Sequence, residues 1–334
     1  MSTISVVIAT FNRVALLRQT LESLRRQGYG RGDEVIVVDN ASSDGTAHVV
    51  QDLSRAFPVP LMLLREPSPG KTPALMRGLA AARGEILALT DDDVLAAEDW
   101  IETIRDVFRD PSIALVGGRV EPRWERPAPP WLRIERNGRY TRMSAPLALL
   151  HYGRDAQPLG ARTAVGANMA VRADVLRSVG GMTPHLGRQR GTLMGGEDHD
   201  LCQRAVAAGY RCEYRPELRV RHWVPAERTR LSYYVRWFFW CGITHAAVEQ
   251  QHSGAGGHRS AGSALYWTRQ SIMAGAFTLA SGVAGRMAAA SEHATDAAFA
   301  LGQLAHRVRT RQRGDAQQRA TLAALEGSNV APRE

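Results

Sequence analysis

The sequence contains few cysteines, and they form no recognisable metal or redox motif. Three occur in 334 residues, Cys202, Cys212 and Cys241, and their spacing matches neither a zinc site nor a thioredoxin-like pair. An odd and sparse set of cysteines argues against a secreted fold held together by disulfides. The N-terminal residues MSTISVVIATFNR have no basic segment before their apolar run, which predicts a first strand and not a signal peptide.

The chain also lacks a long apolar run and an internal repeat. The longest weakly polar stretch, residues 271–285, is too short and too rich in glycine, serine and threonine to predict a membrane span. These absences favour a cytoplasmic globular protein. The length is sufficient for two modest domains, or for one large domain with an appendage.

Two common phosphate-binding motifs are missing. The stretch PSPGKTPAL, residues 67–75, resembles a P-loop, but Arg65 stands where the motif needs its first glycine. After the first predicted strand, TFNR occupies the place of the glycine-rich turn that binds dinucleotides. Both absences disfavour a P-loop NTPase and a dinucleotide-dependent enzyme.

Acidic residues are outnumbered by basic ones, 33 against 42, and the net charge is +9. A basic protein suits phosphate-bearing partners such as nucleotides, nucleic acids or an anionic membrane. The alternative, a soluble protein that is simply rich in arginine, stays open. A nucleic-acid binder needs basic and aromatic side chains on one face and has no use for the carboxylate motifs described below, so we expect no nucleic-acid partner.

Strands and helices alternate in the first hundred residues. Short apolar runs predict strands at residues 4–10, 34–39, 61–66 and 85–90, with amphipathic helices between them. This alternation predicts an α/β fold with a mostly parallel central sheet flanked by helices. The polar segments TFN, DNASSDGT and TDDDV follow three of these strands, so we expect them at the ligand-binding edge of the sheet.

The pattern changes after about residue 112. Further strands are predicted at residues 113–120, 164–172 and 217–222, and a helix begins within GGEDHD at residues 195–200. Residues 123–163, which include Trp124 and Trp131, are predicted to form a lid over the site or a wall that contacts the acceptor. The alternative is that their apolar and aromatic side chains simply pack. Beyond residue 226 the chain is predicted to be helical, with a flexible linker at residues 250–263.

Two clusters of carboxylates and one histidine are candidates for chemistry. Asp91, Asp92 and Asp93 follow a buried strand, where they either hold a divalent cation such as Mg²⁺ or Mn²⁺ or form an acidic turn that caps a helix. Glu197 and Asp198 offer either a general base or a helix cap. His222, at the end of a strand, is either a metal ligand or a structural residue.

Six motifs occur in the order typical of glycosyltransferase family 2, whose members have the GT-A fold. They are VVIATFNR, VVDNASSDGT, LALTDDDV, VGANMAVRADVLRSVGGM, GGEDHDLCQRAVAAGY and VRHWVPAERTR. The resemblance covers about residues 3–230. It implies a nucleotide-sugar-binding half at residues 1–112, an acceptor-binding and catalytic half at 113–225, and a helical extension at 226–334.

The resemblance also implies a role for each candidate residue. Asp93 would be the direct ligand of a divalent metal, Mn²⁺ or Mg²⁺, with Asp91 and His222 completing the metal site. Asp91 and Asp92 would face the ribose and diphosphate of the donor. The other expected contacts to the nucleotide are Thr10, Phe11, Asn12, Asp39, Lys71 and Asn168. Asp198 would be the catalytic base, and Glu197 would orient the sugar or the acceptor.

The implied activity is the transfer of a sugar, with inversion, from a nucleoside-diphosphate donor to an acceptor hydroxyl. We expect a UDP-sugar, while GDP and dTDP remain open, and a glycan or lipid-linked glycan acceptor from the synthesis of polysaccharides or cell-envelope glycolipids. The basic run at residues 307–313 suggests peripheral contact with the anionic inner membrane face, or else a solvated helix. The competing hypothesis is a metal-dependent nucleotidyltransferase or phosphodiesterase.

Overall fold

The structure is a computed structural model that describes residues 2–184, 186–188, 191–252 and 264–328. The chain divides into two compact units, Met1–Tyr234 and Val235–Glu334. Residues 253–263 of the predicted linker lie outside the described residues. Among the described residues, no helix has both the length and the apolar character needed to cross a membrane.

The first unit contains all the strands of the described chain. They are β1 (Ile4–Thr10), β2 (Glu34–Asp39), β3 (Leu61–Arg65), β4 (Ile86–Asp91), β5 (Val94–Ala96), β6 (Ile113–Trp124), β7 (Glu135–Arg136), β8 (Arg139–Tyr140), β9 (Gln157–Pro158), β10 (Asn168–Arg172) and β11 (Arg211–Val224). The main sheet has the order β3-β2-β1-β4-β10-β6-β11-β5, with β9 beside β11, and β7 and β8 form a separate pair.

Helices lie between the strands of the first unit, as predicted, and the chain beyond residue 226 is largely helical. They are α1 (Val14–Arg25), α2 (Thr46–Ser54), α3 (Lys71–Ala81), α4 (Trp100–Val107), α5 (Ala173–Ser178), α6 (Glu197–Ala207), α7 (Leu231–His252), α8 (Ala264–Val283) and α9 (Met287–Ser328). Short 3-10 helices lie at Arg142–Leu147 and Ala226–Thr229. The basic run at 307–313 lies within α9.

The predicted architecture, a mostly parallel sheet flanked by helices, is confirmed. Strands β3, β2, β1 and β4 are mutually parallel, as are β6 and β11. Strand β10 runs antiparallel to both β4 and β6 and joins the two parallel sets into one sheet. Nearly every residue of β1, β2 and β4 is buried, which explains why these strands are continuous apolar runs in the sequence.

The three-residue strand β5 was not predicted, and it positions the candidate site. It pairs antiparallel with β11 on one side, with His222 opposite Val94. On its other side the hydroxyl of Thr20 in α1 donates to the Val94 carbonyl at 2.8 Å, and the hydroxyl of Ser23 in α1 accepts from the Ala96 amide at 3.2 Å. Helix α1 therefore satisfies backbone groups that an exposed edge strand would leave unpaired.

Candidate functional site

The carboxyl ends of β1, β2 and β4 meet at one edge of the sheet, as predicted. Thr10 lies opposite Asp39 in the β1–β2 pair, and Ala9 lies opposite Asp91 in the β1–β4 pair. The Thr10 hydroxyl donates to Asp92 Oδ2 at 2.8 Å. The polar segments that follow these strands are therefore direct neighbours.

Asp92 is buried and points into the protein. Besides Thr10, it accepts a hydrogen bond from Arg13 Nη1 at 3.0 Å, and only 4% of the residue is exposed. Burial raises the pKa of Asp92 to about 6, although the charge of Arg13 opposes the shift. These contacts fit an internal anchor for the loop after β4 better than the expected contact with ribose or diphosphate.

Asp91, Asp93 and His222 form a group that suits a divalent cation. Each offers one ligand atom, and these atoms lie within 4.8 Å of one another. Asp93 Oδ1 is 3.1 Å from His222 Nε2, yet neither this oxygen nor His222 Nδ1 has a hydrogen-bond partner among the described residues. Two ligand atoms on opposite sides of a cation, each bonded at about 2.1 Å, are about 4.2 Å apart. The three ligand atoms, within 4.8 Å of one another, would therefore need only a small shift toward one another to bind one cation.

The charge environment keeps Asp93 ionised. Burial by itself would raise the pKa of Asp93, but the nearby charges of His222 and Arg13 outweigh it and hold the pKa below its ordinary value. Arg13 Nη1 donates to Asp93 Oδ2 at 2.9 Å. The pKa of Arg13 is raised because Asp92 and Asp93 together overcome the effect of its burial. The ionised carboxylate is the form that a metal ion needs.

Lys71 connects the two carboxylate clusters. It is the first residue of α3, and its Nζ lies 2.6 Å from Asp91 Oδ1 and 3.9 Å from Glu197 Oε1. Burial would lower the pKa of Lys71, but the charges of Asp91 and Glu197 raise it above its usual value. The lysine is therefore a cation held between the predicted donor site and the predicted catalytic pair.

Glu197 and Asp198 open helix α6, as the sequence predicted. Gly196 precedes them in the left-handed conformation, with φ of 97°, which a residue with a side chain seldom adopts. Asp198 is half-buried, and its Oδ2 accepts a hydrogen bond from the Gly166 amide at 3.1 Å. Burial, reinforced by the charge of Asp198, raises the pKa of Glu197 to about 7, against the opposing charge of Lys71.

Asp39 fixes the loop that follows its own strand β2, and Asn12 joins the loop after β1 to the loop after β2. Asp39 Oδ1 accepts from the Ser42 amide at 2.8 Å. Asn12 has a positive φ of 50°, and its side-chain oxygen accepts from the Ser43 amide at 2.7 Å. Phe11, which precedes Asn12 in the first loop, is 37% exposed.

Asn168 lies opposite Thr90 in the β10–β4 pair, beside the aspartate cluster, but its side chain bonds inside the protein, and its contact with the nucleotide stays a prediction. The residue is fully buried, and its side-chain oxygen accepts from Trp100 Nε1 at 2.8 Å. Both amide hydrogens are used, because Nδ2 donates to the carbonyls of Arg119 and Leu218, each at 2.9 Å. Asn168 therefore joins α4, β6 and β11 beneath the site.

Two residues near the site were missed by the sequence analysis. Arg13 follows the TFN segment directly, but an arginine after a strand is too common to stand out. Asn40 donates to the carbonyls of Glu66 and Ser68 at 3.0 and 2.6 Å and accepts from the Gly70 amide at 2.8 Å. It thereby fixes the loop that delivers Lys71, and its place in the DNASSDGT motif was the available signal.

The segment 123–163 contains both aromatic residues proposed for a lid. Trp131 packs edge-on against Tyr234, with ring centroids 5.2 Å apart, and the Tyr234 hydroxyl donates to the Met143 carbonyl at 2.9 Å. This contact favours the packing alternative for Trp131. Trp124 ends β6, where it lies opposite Val224 of β11 and is half-buried.

Comparison with known proteins identifies the family. The sequence matches the model for glycosyl transferase family 2 over residues 5–180. The glucosyl-dolichyl phosphate glucuronosyltransferase of Haloferax volcanii is 26% identical over 267 residues, which cover 77% of this chain and 81% of that protein. The pre-mycofactocin glycosyltransferase of Mycobacterium tuberculosis is 30% identical over 285 residues, 83% of this chain and 54% of that protein.

A solved structure supports the fold. The mannosyltransferase PcManGT of Pyrobaculum calidifontis, in complex with GDP-Man and Mn²⁺, aligns with a TM-score of 0.57 and 21% identity, covering 96% of this chain and 79% of that one. At this identity the likeness concerns the fold alone, and it agrees with the expected GT-A fold. The family match spans more than half of the sequence, and this chain is therefore a glycosyltransferase that belongs to glycosyl transferase family 2.

Proposed function

We propose that the protein transfers a sugar from a nucleoside-diphosphate donor to an acceptor hydroxyl, with inversion at the anomeric carbon. The observation that carries the proposal is the position of Lys71, whose Nζ contacts Asp91 and lies near Glu197. Lys71 thereby links the aspartate cluster at the sheet edge to the carboxylates that open α6, so that the two clusters form one site. A donor phosphate and an acceptor hydroxyl could then be held side by side.

Asp91, Asp93 and His222 would hold the divalent cation. Two carboxylates and an imidazole suit Mn²⁺, and Mg²⁺ is the other candidate because both carboxylates are hard oxygen ligands. When bound, such a cation neutralises negative charge on the diphosphate leaving group. The nucleotide would be received at the ends of β1 and β2, where Thr10 and Asp39 are the last strand residues and Phe11 and Asn12 begin the loop after β1.

Asp198 would act as the general base. Both oxygens of this half-buried carboxylate accept a hydrogen bond from a backbone amide, Oδ2 from Gly166 at 3.1 Å and Oδ1 from His199 at 2.8 Å, so the group is oriented. Each oxygen keeps a second lone pair that can take a proton. The acceptor oxygen would form its bond to the anomeric carbon as the bond to the diphosphate breaks, and the acceptor proton would pass to Asp198. A single displacement of this kind inverts the anomeric centre.

The names of relatives suggest the class of acceptor. The Haloferax volcanii relative is called a glucosyl-dolichyl phosphate glucuronosyltransferase, and a Salmonella typhimurium relative, 28% identical over 266 residues, an O-antigen chain rhamnosyltransferase. We propose a glycan or lipid-linked glycan acceptor in the synthesis of cell-envelope polysaccharide. UDP-sugars are the first donors to test, followed by GDP- and dTDP-sugars.

Calorimetric titration tests the donor site directly. UDP, GDP and dTDP would each be titrated with and without Mn²⁺ into the wild type, Asp93→Ala and the matched control Asp99→Ala, in which an exposed aspartate is removed. The proposal expects metal-dependent binding of one nucleotide, lost in Asp93→Ala and kept in the control. Equal binding by both variants would refute the assignment of Asp93.

Product analysis tests the reaction itself. A glycosyltransferase releases the intact nucleoside diphosphate from a nucleotide sugar. A nucleotidyltransferase or phosphodiesterase would release a monophosphate or a sugar phosphate instead. Release of the diphosphate, abolished in Asp198→Asn, is the expected result, whereas full activity in that variant would remove Asp198 from the role of base.

A further inference from the structure

Helix α8 exposes a line of large apolar side chains. Leu265, Ile272, Leu279 and Val283 have exposed fractions of 79, 68, 73 and 92%. At about 100° per residue, these four positions fall within an arc of about 40° on the helix. They extend along about 27 Å of its length, at about 1.5 Å per residue. The line is therefore a continuous apolar stripe.

Apart from Arg269, the large exposed side chains on the rest of α8 are also apolar. Tyr266, Met273 and Phe277 widen the stripe on one side, with exposed fractions of 47, 41 and 53%. On the opposite side the helix buries Ser281, which is 7% exposed. A surface helix of a soluble protein normally has the reverse arrangement, with apolar residues inward and polar residues outward. Some other apolar phase should cover this face.

The charges around α8 indicate what covers it. The sequence has no Asp or Glu between Glu249 and Glu292, while Arg269 lies on the exposed side of α8 and the exposed Arg286 follows its end. The charged residues of α8 itself and of its C-terminal end are basic, and an apolar face with basic residues complements an anionic lipid surface. The carboxylate next to this face, Asp296 of α9, faces His293, which packs on Phe277. A second copy packed symmetrically on the same face would bring two Arg269 side chains together with no carboxylate to pair with them.

We propose that α8 lies in the plane of an anionic membrane surface and inserts this apolar stripe among the lipids. The inference does not depend on the proposed sugar transfer. It differs from the suggestion made for the basic run at 307–313, because the stripe inserts side chains whereas a basic tail would attract the surface by charge alone. The anchor would hold the enzyme where a lipid-linked acceptor resides.

Vesicle sedimentation tests the proposal on the full chain. The wild type would be mixed with vesicles of phosphatidylcholine alone and with added phosphatidylglycerol, and compared with the double variant Ile272→Gln, Leu279→Gln. The matched control is Leu301→Gln, Val308→Gln, because these α9 residues are also apolar and 48 and 44% exposed. We expect binding to the anionic vesicles, weakened at least about tenfold by the α8 variant and less than about twofold by the control.

Three outcomes would overturn the proposal. One is equal vesicle binding by the wild type and the α8 variant, which would assign binding to another surface. The second is no vesicle binding at all. The third is a dimer that the α8 variant converts to a monomer, which would make the stripe an interface between copies of this chain. Nucleotide binding and thermal unfolding of each variant establish that it is folded, and they report on the catalytic proposal separately.

A dye at position 279 distinguishes insertion from attraction by charge. Leu279→Cys would be labelled with an environment-sensitive fluorophore in a Cys241→Ser background, since Cys202 and Cys212 are buried. Insertion predicts a blue shift on addition of anionic vesicles that persists at high salt. An unshifted spectrum with protein bound to the vesicles would refute insertion of α8.

Discussion

Glu197 should make the protein less stable as the pH rises, and the Glu197→Gln variant should lose that dependence. The residue is 6% exposed, and burial with the charge of Asp198 raises its pKa to about 7, although Lys71 opposes the shift. The unfolded chain ionises this carboxyl near its ordinary value of 4.5. Between the two values only the folded state holds the proton, so its contribution to stability is complete below about 4.5 and lost as the pH passes about 7.

The size of the effect follows from the same shift. At about 1.4 kcal/mol per pKa unit, the displacement corresponds to at most about 3 kcal/mol of stability. Urea unfolding at about pH 5 and about pH 8 would measure it, with the free energy of unfolding compared between wild type and Glu197→Gln at each pH. The raised pKa of Asp92 acts in the same direction, but it is common to both proteins and cancels in the comparison.

A matched control shows whether the pH dependence comes from Glu197 or from the loss of any carboxyl group. Glu98→Gln removes an exposed carboxyl and should leave the pH dependence of the wild type unchanged. If Glu197→Gln loses stability between the two pH values as steeply as the wild type does, the buried carboxyl does not hold its proton at neutral pH and the reasoning fails.

Three further changes test individual contacts. Asn168→Ala should lower the free energy of unfolding by about 3 kcal/mol in urea titrations, because three buried hydrogen bonds are lost; loss of nucleotide binding without loss of stability would support its expected donor contact. Gly118→Ala should lower the free energy of unfolding in urea titrations by about 1–3 kcal/mol, because the added methyl would overlap the Asn168 amide and the Leu218 carbonyl. In the control Gly28→Ala the added methyl enters open space, and the free energy of unfolding should not change in this way. Lys71→Met should weaken calorimetric binding of the nucleoside diphosphate at least about tenfold; unchanged binding would exclude a donor contact.

The parts of the fold that the sequence predicted are those set by neighbouring residues. Strands β1, β2 and β4 are buried on both faces, so their apolar runs mark them almost to the residue. The apolar spacing after β2 predicts a helix from about Asp44 to Phe57, but α2 begins at Thr46, because Asp44 remains outside it and accepts from the amides of Val14 and Thr46. These hydrogen bonds of Asp44 depend on the conformation of the loop before α2, which the periodicity of the sequence does not reveal.

The parts that could not be predicted depend on distant partners. Strand β5 has three residues and exists because β11, more than a hundred residues later, pairs with it. The family resemblance implies that Asn168 contacts the nucleotide, and no sequence pattern indicates that its side chain also bonds to an indole and two carbonyls from distant parts of the chain. From a sequence alone, a buried asparagine and a ligand-binding one are indistinguishable.

The charge pattern of the site explains why a diphosphate would need a cation there. Asp91, Asp92, Asp93, Glu197 and Asp198 are its carboxyl groups, and three basic side chains already contact them: Arg13 contacts Asp92 and Asp93, Lys71 contacts Asp91, and His222 faces Asp93. Arg228 acts on Asp93 by its charge, which lowers the pKa of that carboxyl. A diphosphate brought to this edge would therefore meet five carboxyl groups and few basic side chains. To bind Arg13 and Lys71 it would have to displace them from their partners, leaving carboxylates unpaired at high cost, whereas a cation that arrives with it adds positive charge without that cost. We therefore expect the metal dependence of nucleotide binding to be steeper than that of folding, and calorimetry and unfolding of the same samples, with and without Mn²⁺, would compare the two.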